Sequence, residues 1–421
     1  MSIKYLFIYY EAKIRRKYVS LRIIYMKRND IANNKKNIVF LMMRFLDGGI
    51  DTVLVEYLRY LAQDEHYHIT LGIALYMGSL EVFINRLPKN IEVIYFCRGK
   101  GLTHIPQKKI RKKVSISKKM ADELLINPIR RYLIRKNINR LAQNADTIID
   151  FDCCASTFLK SVSTKKIAFF HFSFKQSIKQ NYKRIKRISK RLENYDQIVT
   201  ISQAMAKEGR ELFPKLKDKI TVIYNAKDPD FIQKQAALMP DEELIHRPYL
   251  LAVERLEESQ KDLSNLLRAY AILKQKYKIK EALYIIGKGN SQKDLIALAK
   301  QLNIVEQVVF LGFIENPYPW MLHCKILVHS AKFEGLPTVL IEGLMLKKLM
   351  VSSDCPTGPR EILDDGAAGM LVKPADPQAF AEAVYKLLTN KDLQVQIYKG
   401  INKRVQDFTF QNIDKQLKCL L

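Results

Sequence analysis

The residues best equipped for chemistry lie in Ser330-Ala-Lys-Phe-Glu334-Gly335-Leu336-Pro337-Thr338-Val339-Leu-Ile-Glu342-Gly343. Proline favours the first helical turn, so the run reads as a strand ending near His329, a loop, and a helix starting near Pro337. The first backbone N–H groups of that helix, around Thr338 to Leu340, would be free and would carry the positive end of the helix dipole into a cleft, which makes a phosphate site. Glu334 on the loop and Glu342 on the second turn can reach one ligand at different points. A carboxylate that accepts two hydrogen bonds recognises a vicinal diol, such as a ribose or a hexose ring edge. Two glutamates at this spacing are ordinarily helix-edge charges; the flanking Gly-Leu-Pro-Thr and the companion residues below argue for a site.

Arg255 and Lys261, six residues apart, follow the apolar run Pro248-Tyr-Leu-Leu-Ala-Val253. A doubly wound fold binds its ligand beyond the carboxyl end of such a strand. The planar fork of Arg can hold two phosphate oxygens while Lys adds a point charge. Gly287 and Gly289 follow another apolar run, Ala282 to Ile286, at a turn where a backbone can approach a nucleotide closely.

These groups need a scaffold, and the hydrophobic pattern supplies one. Asn37 to Met43 is a continuous apolar run of strand length, followed by a turn at Asp47-Gly48-Gly49 and a helix with apolar Val53, Leu54, Tyr57, Leu58 and Leu61. Runs at His68–Leu75, Ile91–Phe96, Asp146–Phe151, Lys166–His171 and Asp196–Ser202 alternate with helical segments, the signature of a parallel sheet. The pattern restarts at Pro248–Val253 and continues through Ala282–Ile286, Gln307–Leu311, Lys325–His329 and Leu349–Ser353. The expected fold class is α/β, two doubly wound Rossmann-like domains with a cleft between them. The expected divisions are a basic extension over 1–36, a first Rossmann-like domain over 37–229, a second over 230–405, and a C-terminal helix over 406–421. Met26 is an alternative start.

The 421 residues carry a net charge of +27, and residues 1–210 hold an excess of 24 basic over acidic residues against 3 in residues 211–421. That asymmetry suggests that one half faces a polyanion, nucleic acid or an anionic membrane. The six cysteines are scattered, without the spacing of a metal site or a disulfide framework. No apolar run has membrane-spanning length. The expectation is therefore a cytoplasmic protein without a bound metal.

The run from Gly312 to Leu371 resembles the donor-binding core of family 4 retaining glycosyltransferases, closest to the bacterial branch that builds capsule, lipopolysaccharide and similar surface glycans. The resemblance extends more weakly over residues 37 to about 417, through Asp47-Gly48-Gly49, His171, Tyr224-Asn225 with Asp228, Arg255 with Lys261, and Gly287 with Gly289. It implies a GT-B fold in which residues 37–229 bind the acceptor, residues 230–405 bind the nucleotide sugar and the helix over 406–421 returns to the first domain, with donor contacts from Glu334, Gly335, Leu336, Pro337, Thr338, Val339 and Glu342. Glu342 would bind the nucleotide ribose, Glu334 the donor sugar, and Arg255 and Lys261 the diphosphate. Gly48 and Gly49 would close the turn beside it, and His171 would lie near the point of attack. It further implies a UDP-linked donor, retention by front-face attack without an obligatory metal, and a lipid-linked or surface-glycan acceptor. Glu254 departs from the pattern, since a small residue commonly precedes the motif arginine; its carboxylate would repel a diphosphate unless it turns away. Two other readings stay open: a nucleotide-sugar epimerase on the same architecture, and a basic nucleic-acid-binding protein.

Lys108, Lys109, Arg111, Lys112, Lys113, Lys118 and Lys119 form one basic cluster, and a second runs from Lys175 through Lys179, Lys183, Arg184, Lys186, Arg187, Lys190 and Arg191. In the second, Phe172, Phe174, Ile178, Tyr182, Ile185 and Ile188 interleave with the cations at helical spacing, as in a helix lying on an anionic membrane. The expected place of work is thus the inner face of the cytoplasmic membrane, with Lys112, Lys113, Lys183, Arg184, Lys186 and Arg187 at the membrane or acceptor surface.

Overall fold

The computed structural model describes residues 35–111, 114–178, 181–240 and 243–421; Lys112, Lys113, Lys179 and the extension through residue 34 lie outside the described residues. The first sheet comprises β1 (Lys36–Met42), β2 (Tyr67–Leu75), β3 (Glu92–Cys97), β4 (Thr147–Asp150), β5 (Lys165–Phe170), β6 (Gln197–Thr200) and β7 (Ile220–Val222). The second comprises β8 (Tyr249–Val253), β9 (Ala282–Ile286), β10 (Val308–Gly312), β11 (Ile326–His329), β12 (Met350–Ser353) and β13 (Met370–Val372). Every pairing is parallel, in the orders β3-β2-β1-β4-β5-β6-β7 and β10-β9-β8-β11-β12-β13. Each sheet winds outward from its first strand in both directions. Its switch point lies between β1 and β4 or between β8 and β11, where open α/β sheets take their ligands.

Strand β1 shows why apolar runs become central strands. Ile38, Phe40 and Met42 belong to the cluster on one face of the sheet and Val39 and Leu41 to the cluster on the other. Strand side chains alternate, so a strand covered on both faces must be apolar at every position. Strands β7 and β13 are additions to the sequence reading, three residues each. Segments so short carry no measurable periodicity.

Four helices bear on the site: α1 (Gly49–Leu61), α2 (Tyr182–Leu192), α3 (Thr338–Met345) and α4 (Phe410–Leu420). The chain crosses between the sheets near Lys227 and again near Phe408, where the Lys227 N–H donates to the Phe408 carbonyl at 2.8 Å. Helix α4 then packs on the first sheet: Phe410, Ile413, Leu417 and Leu420 share an apolar cluster with Tyr57 and Leu61 of α1. Phe410 stacks on Tyr60 with ring centroids 4.5 Å apart and meets Tyr57 edge-on at 5.6 Å. Phe410→Ala should therefore destabilise the protein by about 3–5 kcal/mol, read as a lower urea midpoint, whereas an unchanged midpoint would mean that α4 is not held on this domain.

Candidate active site

The second sheet gathers its polar residues beyond the carboxyl ends of β8 and β11. Past β8 the chain passes Glu254 and Arg255 into a short helix, Glu258–Lys261. The buried Lys261 ammonium donates to Glu334 Oε1 at 2.5 Å. Burial alone would lower the Lys261 pKa, but the charges of Glu334 and Glu254 raise it. Gln260 bridges the same loops: its Nε2 donates to the Phe333 carbonyl at 3.3 Å, and its Oε1 accepts from the exposed Arg255 at 3.1 Å. Arg255, Lys261 and Glu334 thus stand together, with an accessible cation beside a buried pair.

Pro337 precedes the first turn of α3, whose Thr338 and Val339 N–H groups lack intrahelical acceptors by position. The sequence reading included Leu340 among the free amides; instead its N–H closes a tight turn on the Pro337 carbonyl at 3.1 Å. Further along α3, Glu342 Oε1 accepts from the Lys227 ammonium at 2.7 Å, and Lys227 also reaches Glu56 of α1 at 3.0 Å.

Glu254 does turn away from the cation side. Its carboxylate is fully buried and accepts from His329 Nδ1 at 2.7 Å. Burial would raise its pKa, yet His329 and Lys261 together leave it lowered. The Nε2 of the same imidazole points toward Glu334 Oε1 at 3.6 Å, beyond hydrogen-bond reach, so His329 is bonded to Glu254 alone of the two carboxylates.

Across the cleft, His171 follows β5. Its ring is buried and Nε2 lies 2.8 Å from the Phe151 carbonyl, the geometry of an Nε2–H donor. Burial lowers its pKa to about 4, so at neutral pH the ring is uncharged and leaves Nδ1 as an acceptor. The His171 carbonyl faces Gly335, where a Cβ would lie 2.2 Å from that oxygen. The glycine lets the two domains touch at the motif itself.

The two glycine turns also meet, through Lys288 Nζ and Asp47 Oδ2 at 2.5 Å. Gly49 opens on space at the start of α1, while the Gly48 N–H is already held by Asp51 at 2.9 Å. Gly287 and Gly289 have a nearer reason to be glycine than a nucleotide. A Cβ on them would sit 1.8 Å from the Glu254 carbonyl oxygen and 2.2 Å from that of Leu256. They let the loop after β9 lie on the loop that carries Arg255.

Two family profiles cover most of this architecture: one described as glycosyl transferases group 1 matches residues 238–404, and one described as glycosyltransferase family 4 matches residues 79–231. The chain belongs to the group 1 and family 4 glycosyltransferases. Within the family it is 32% identical over 204 residues to a diphospho-undecaprenol-oligosaccharide 4-alpha-N-acetylgalactosaminyltransferase of Campylobacter jejuni, a match covering 48% of this chain and 54% of that protein. It is 24% identical over 351 residues to the lipopolysaccharide 1,6-galactosyltransferase of Salmonella typhimurium, covering 79% of this chain and 90% of the other. The first three curated relatives are matched over only 46% to 63% of their own lengths. Among solved structures, HepE of Anabaena in complex with UDP and glucose shares the fold at a TM-score of 0.71 and 16% identity, over 90% of this chain and 98% of that one.

The sequence reading of this family member missed Glu56, Lys227, His329 and Glu361. From the second domain, Glu361 accepts the N–H groups of Gln203 and Ala204 at 2.7 and 3.2 Å and the Tyr224 hydroxyl at 2.7 Å, capping a helix of the first. The only signal for Lys227 was a lysine at the end of the mostly apolar Thr221-Val-Ile-Tyr-Asn-Ala-Lys run. The basic surface needs a correction. Lys183, Arg184, Lys186 and Arg187 of α2 are exposed, but Phe174 and Ile178 are fully buried and Ile185 and Ile188 pack on the core. The apolar face of α2 is thus occupied by its own domain, and of the interleaved residues only Phe172 and Tyr182 are exposed.

Two outcomes follow from this geometry. Gly335→Ala should push the domains apart at His171, with turnover falling ~10²-fold, the cost of an ångström of misplacement, while each domain keeps its fold by circular dichroism; full turnover would contradict the close approach. His171 binds its proton near pH 6.5 when unfolded and near 4 when folded, so stability is intact above 6.5 and falls as pH drops through that window. In His171→Gln the stability lost between pH 7 and pH 4.5 should shrink by about 2 kcal/mol, measured by urea titration at both values.

Proposed function

We propose that this chain is a retaining glycosyltransferase that moves a hexose or N-acetylhexosamine from a UDP-linked donor to a lipid-linked or surface-glycan acceptor at the inner face of the cytoplasmic membrane. The observation that carries the reading is the set of Arg255, Lys261, Glu334 and Glu342 around the start of α3, facing His171 across the cleft. The ribose would lie on Glu342, the diphosphate on Arg255, Lys261 and the α3 amides, and the sugar between Glu334 and His171. The names of the Campylobacter and Salmonella relatives favour a hexose or N-acetylhexosamine and a glycan acceptor, one of them on a lipid diphosphate. The UDP complex of HepE favours the nucleotide.

In this reading the sugar C1–oxygen bond to the β-phosphate breaks as the acceptor oxygen approaches the same face, and the acceptor proton passes to the departing phosphate. Charge that develops there is stabilised by preorganised cations and amides. Those groups would do the work of a divalent ion, so no metal is obligatory, and activity should survive chelation by EDTA. His171, uncharged and with Nδ1 open, suits hydrogen bonding to a hydroxyl rather than cationic catalysis.

Arg255 is exposed and Lys261 buried against Glu334, so the two are not equivalent tests. Arg255→Ala should lower turnover ~10² to 10³-fold with an unchanged melting temperature, and Glu342→Gln should weaken UDP binding by about 1.5–3 kcal/mol in calorimetry. A proton spectrum of the product formed from a UDP-α-sugar should have the α-anomeric coupling. Wild-type turnover in Arg255→Ala, or a β-linked product, would defeat the reading.

A further inference from the structure

The proposed reading leaves open how an acceptor held in a bilayer would meet the cleft, and the first domain carries a feature that the site does not use. Helix Ile116–Ala121 and the π-helical turn Asp122–Ile126 follow β3 and lead into helix Asn127–Ala142. Ile116 is 74% exposed, Met120 58%, Leu124 70% and Leu125 55%. Ile116, Met120 and Leu124 recur every four residues, so they line one face. A contiguous apolar face on a protein surface marks something that covers it.

The other side of the segment is anchored. Asp122 is buried and takes both guanidinium nitrogens of the buried Arg130, whose Nε–H also donates to the Leu102 carbonyl at 2.6 Å. A bidentate ion pair in the interior fixes orientation as well as position, so the apolar side chains are presented outward by a held element. The widened turn brings Leu125 out beside Leu124. The segment and its two flanking helices carry exposed Lys109, Lys118, Lys119, Arg131, Arg135 and Lys136 against a single exposed acid within the segment, Glu123.

The location matters as much as the composition. Asn127, Arg130, Arg131 and Ile134 of the following helix line a cavity of about 240 Å³ with Met43, Leu75 and Cys154, which lie at or just beyond the carboxyl ends of β1, β2 and β4. The exposed face therefore hangs from the helix that borders the ligand edge of the first sheet. Arg131 and Arg191 open into that cavity.

We propose that Ile116, Met120, Leu124 and Leu125 insert into the interfacial layer of an anionic bilayer, with the surrounding lysines and arginines on its headgroups, and that this insertion sets the cavity edge of the first domain at headgroup level. The proposal rests on the membrane-side acceptor of the reading above and adds a mode to it. The basic face of α2 contributes attraction that salt screens, whereas this face contributes apolar burial that salt does not. The excess of cations on this stretch selects an anionic lipid surface over a second copy of this equally basic chain, since two such faces would repel.

The test uses the full chain and vesicles of phosphatidylglycerol and phosphatidylcholine. Trp320 is the only tryptophan and is buried, so it gives a constant background. Leu124→Trp should blue-shift on adding vesicles and be quenched by lipids brominated on the upper acyl chain. Ile116→Ser with Leu124→Ser should lose binding at 0.5 M NaCl by about tenfold or more, the loss expected from even one fully buried side chain, while keeping salt-sensitive binding and turnover on a soluble acceptor. An unshifted Leu124→Trp, or a double variant that binds as wild type at high salt, would overturn the insertion. So would a wild-type dimer that Leu124→Glu makes monomeric with vesicle binding unchanged. Loss of turnover on soluble acceptors in the wild type would instead count against the transferase reading and leave insertion to be judged by the fluorescence.

Discussion

Lys227 brings a charge into a place with no solvent to receive it. Its side chain is fully buried, and its ammonium sits between Glu56 of the first domain and Glu342 of the second. Burial alone would lower its pKa; the two carboxylates raise it. Glu56 bears the opposite strain, pushed by burial to about 7 with the Glu342 charge adding to the rise, so the cluster stays close to neutral. Removing Lys227 from such a group leaves the Glu342 carboxylate without its cation at a cost of about 3–5 kcal/mol. Lys227 also sits where the chain crosses between the domains, so the Glu342 carboxylate, the helix carrying Glu56 and the crossing point are positioned by one side chain.

The rest of the cleft follows from holding the two sheets at that spacing. Their carboxyl edges come close enough for Asp47 to meet Lys288 and for Glu361 to cap a helix of the other domain. Where a side chain would keep them apart there is Gly335, against the His171 carbonyl, and within the second domain Gly287 and Gly289 let the loop after β9 lie on the loop of Arg255. Behind the cleft two buried pairs stand side by side, Glu254 with His329 and Glu334 with Lys261. Arg255 is left at its solvent edge. A site of this kind has its charges fixed before a ligand arrives, which is what electrostatic stabilisation of a leaving phosphate requires.

Much of this was legible in the sequence because the physics is local. Strands buried on both faces must be continuously apolar, so the longer strands of both sheets could be read from β1-like runs, and the proline and glycines around Glu334 marked a strand, a loop and a helix start in order. What escaped depends on pairing between distant residues. Nothing near Lys227 announces Glu56 171 positions away, and Glu254 was visible as an oddity whose partner, His329, lies 75 residues on. The periodicity of α2 was read correctly as amphipathic, but a periodic apolar face does not say whether lipid or its own core covers it. In α2 the core does, and the uncovered apolar face lies instead in a short segment, Ile116–Ile126, whose buried Asp122 is fixed by a partner eight residues later.

The account stands on the claim that the nucleotide of the donor binds against α3. The direct measurement is a crystal structure of the full chain grown with UDP. The account predicts the ribose hydroxyls on Glu342, with Lys227 still holding Oε1 of that carboxylate, and the diphosphate between Arg255, Lys261 and the amides of Thr338 and Val339. UDP bound at the carboxyl edge of the first sheet, or anywhere away from α3, would contradict it.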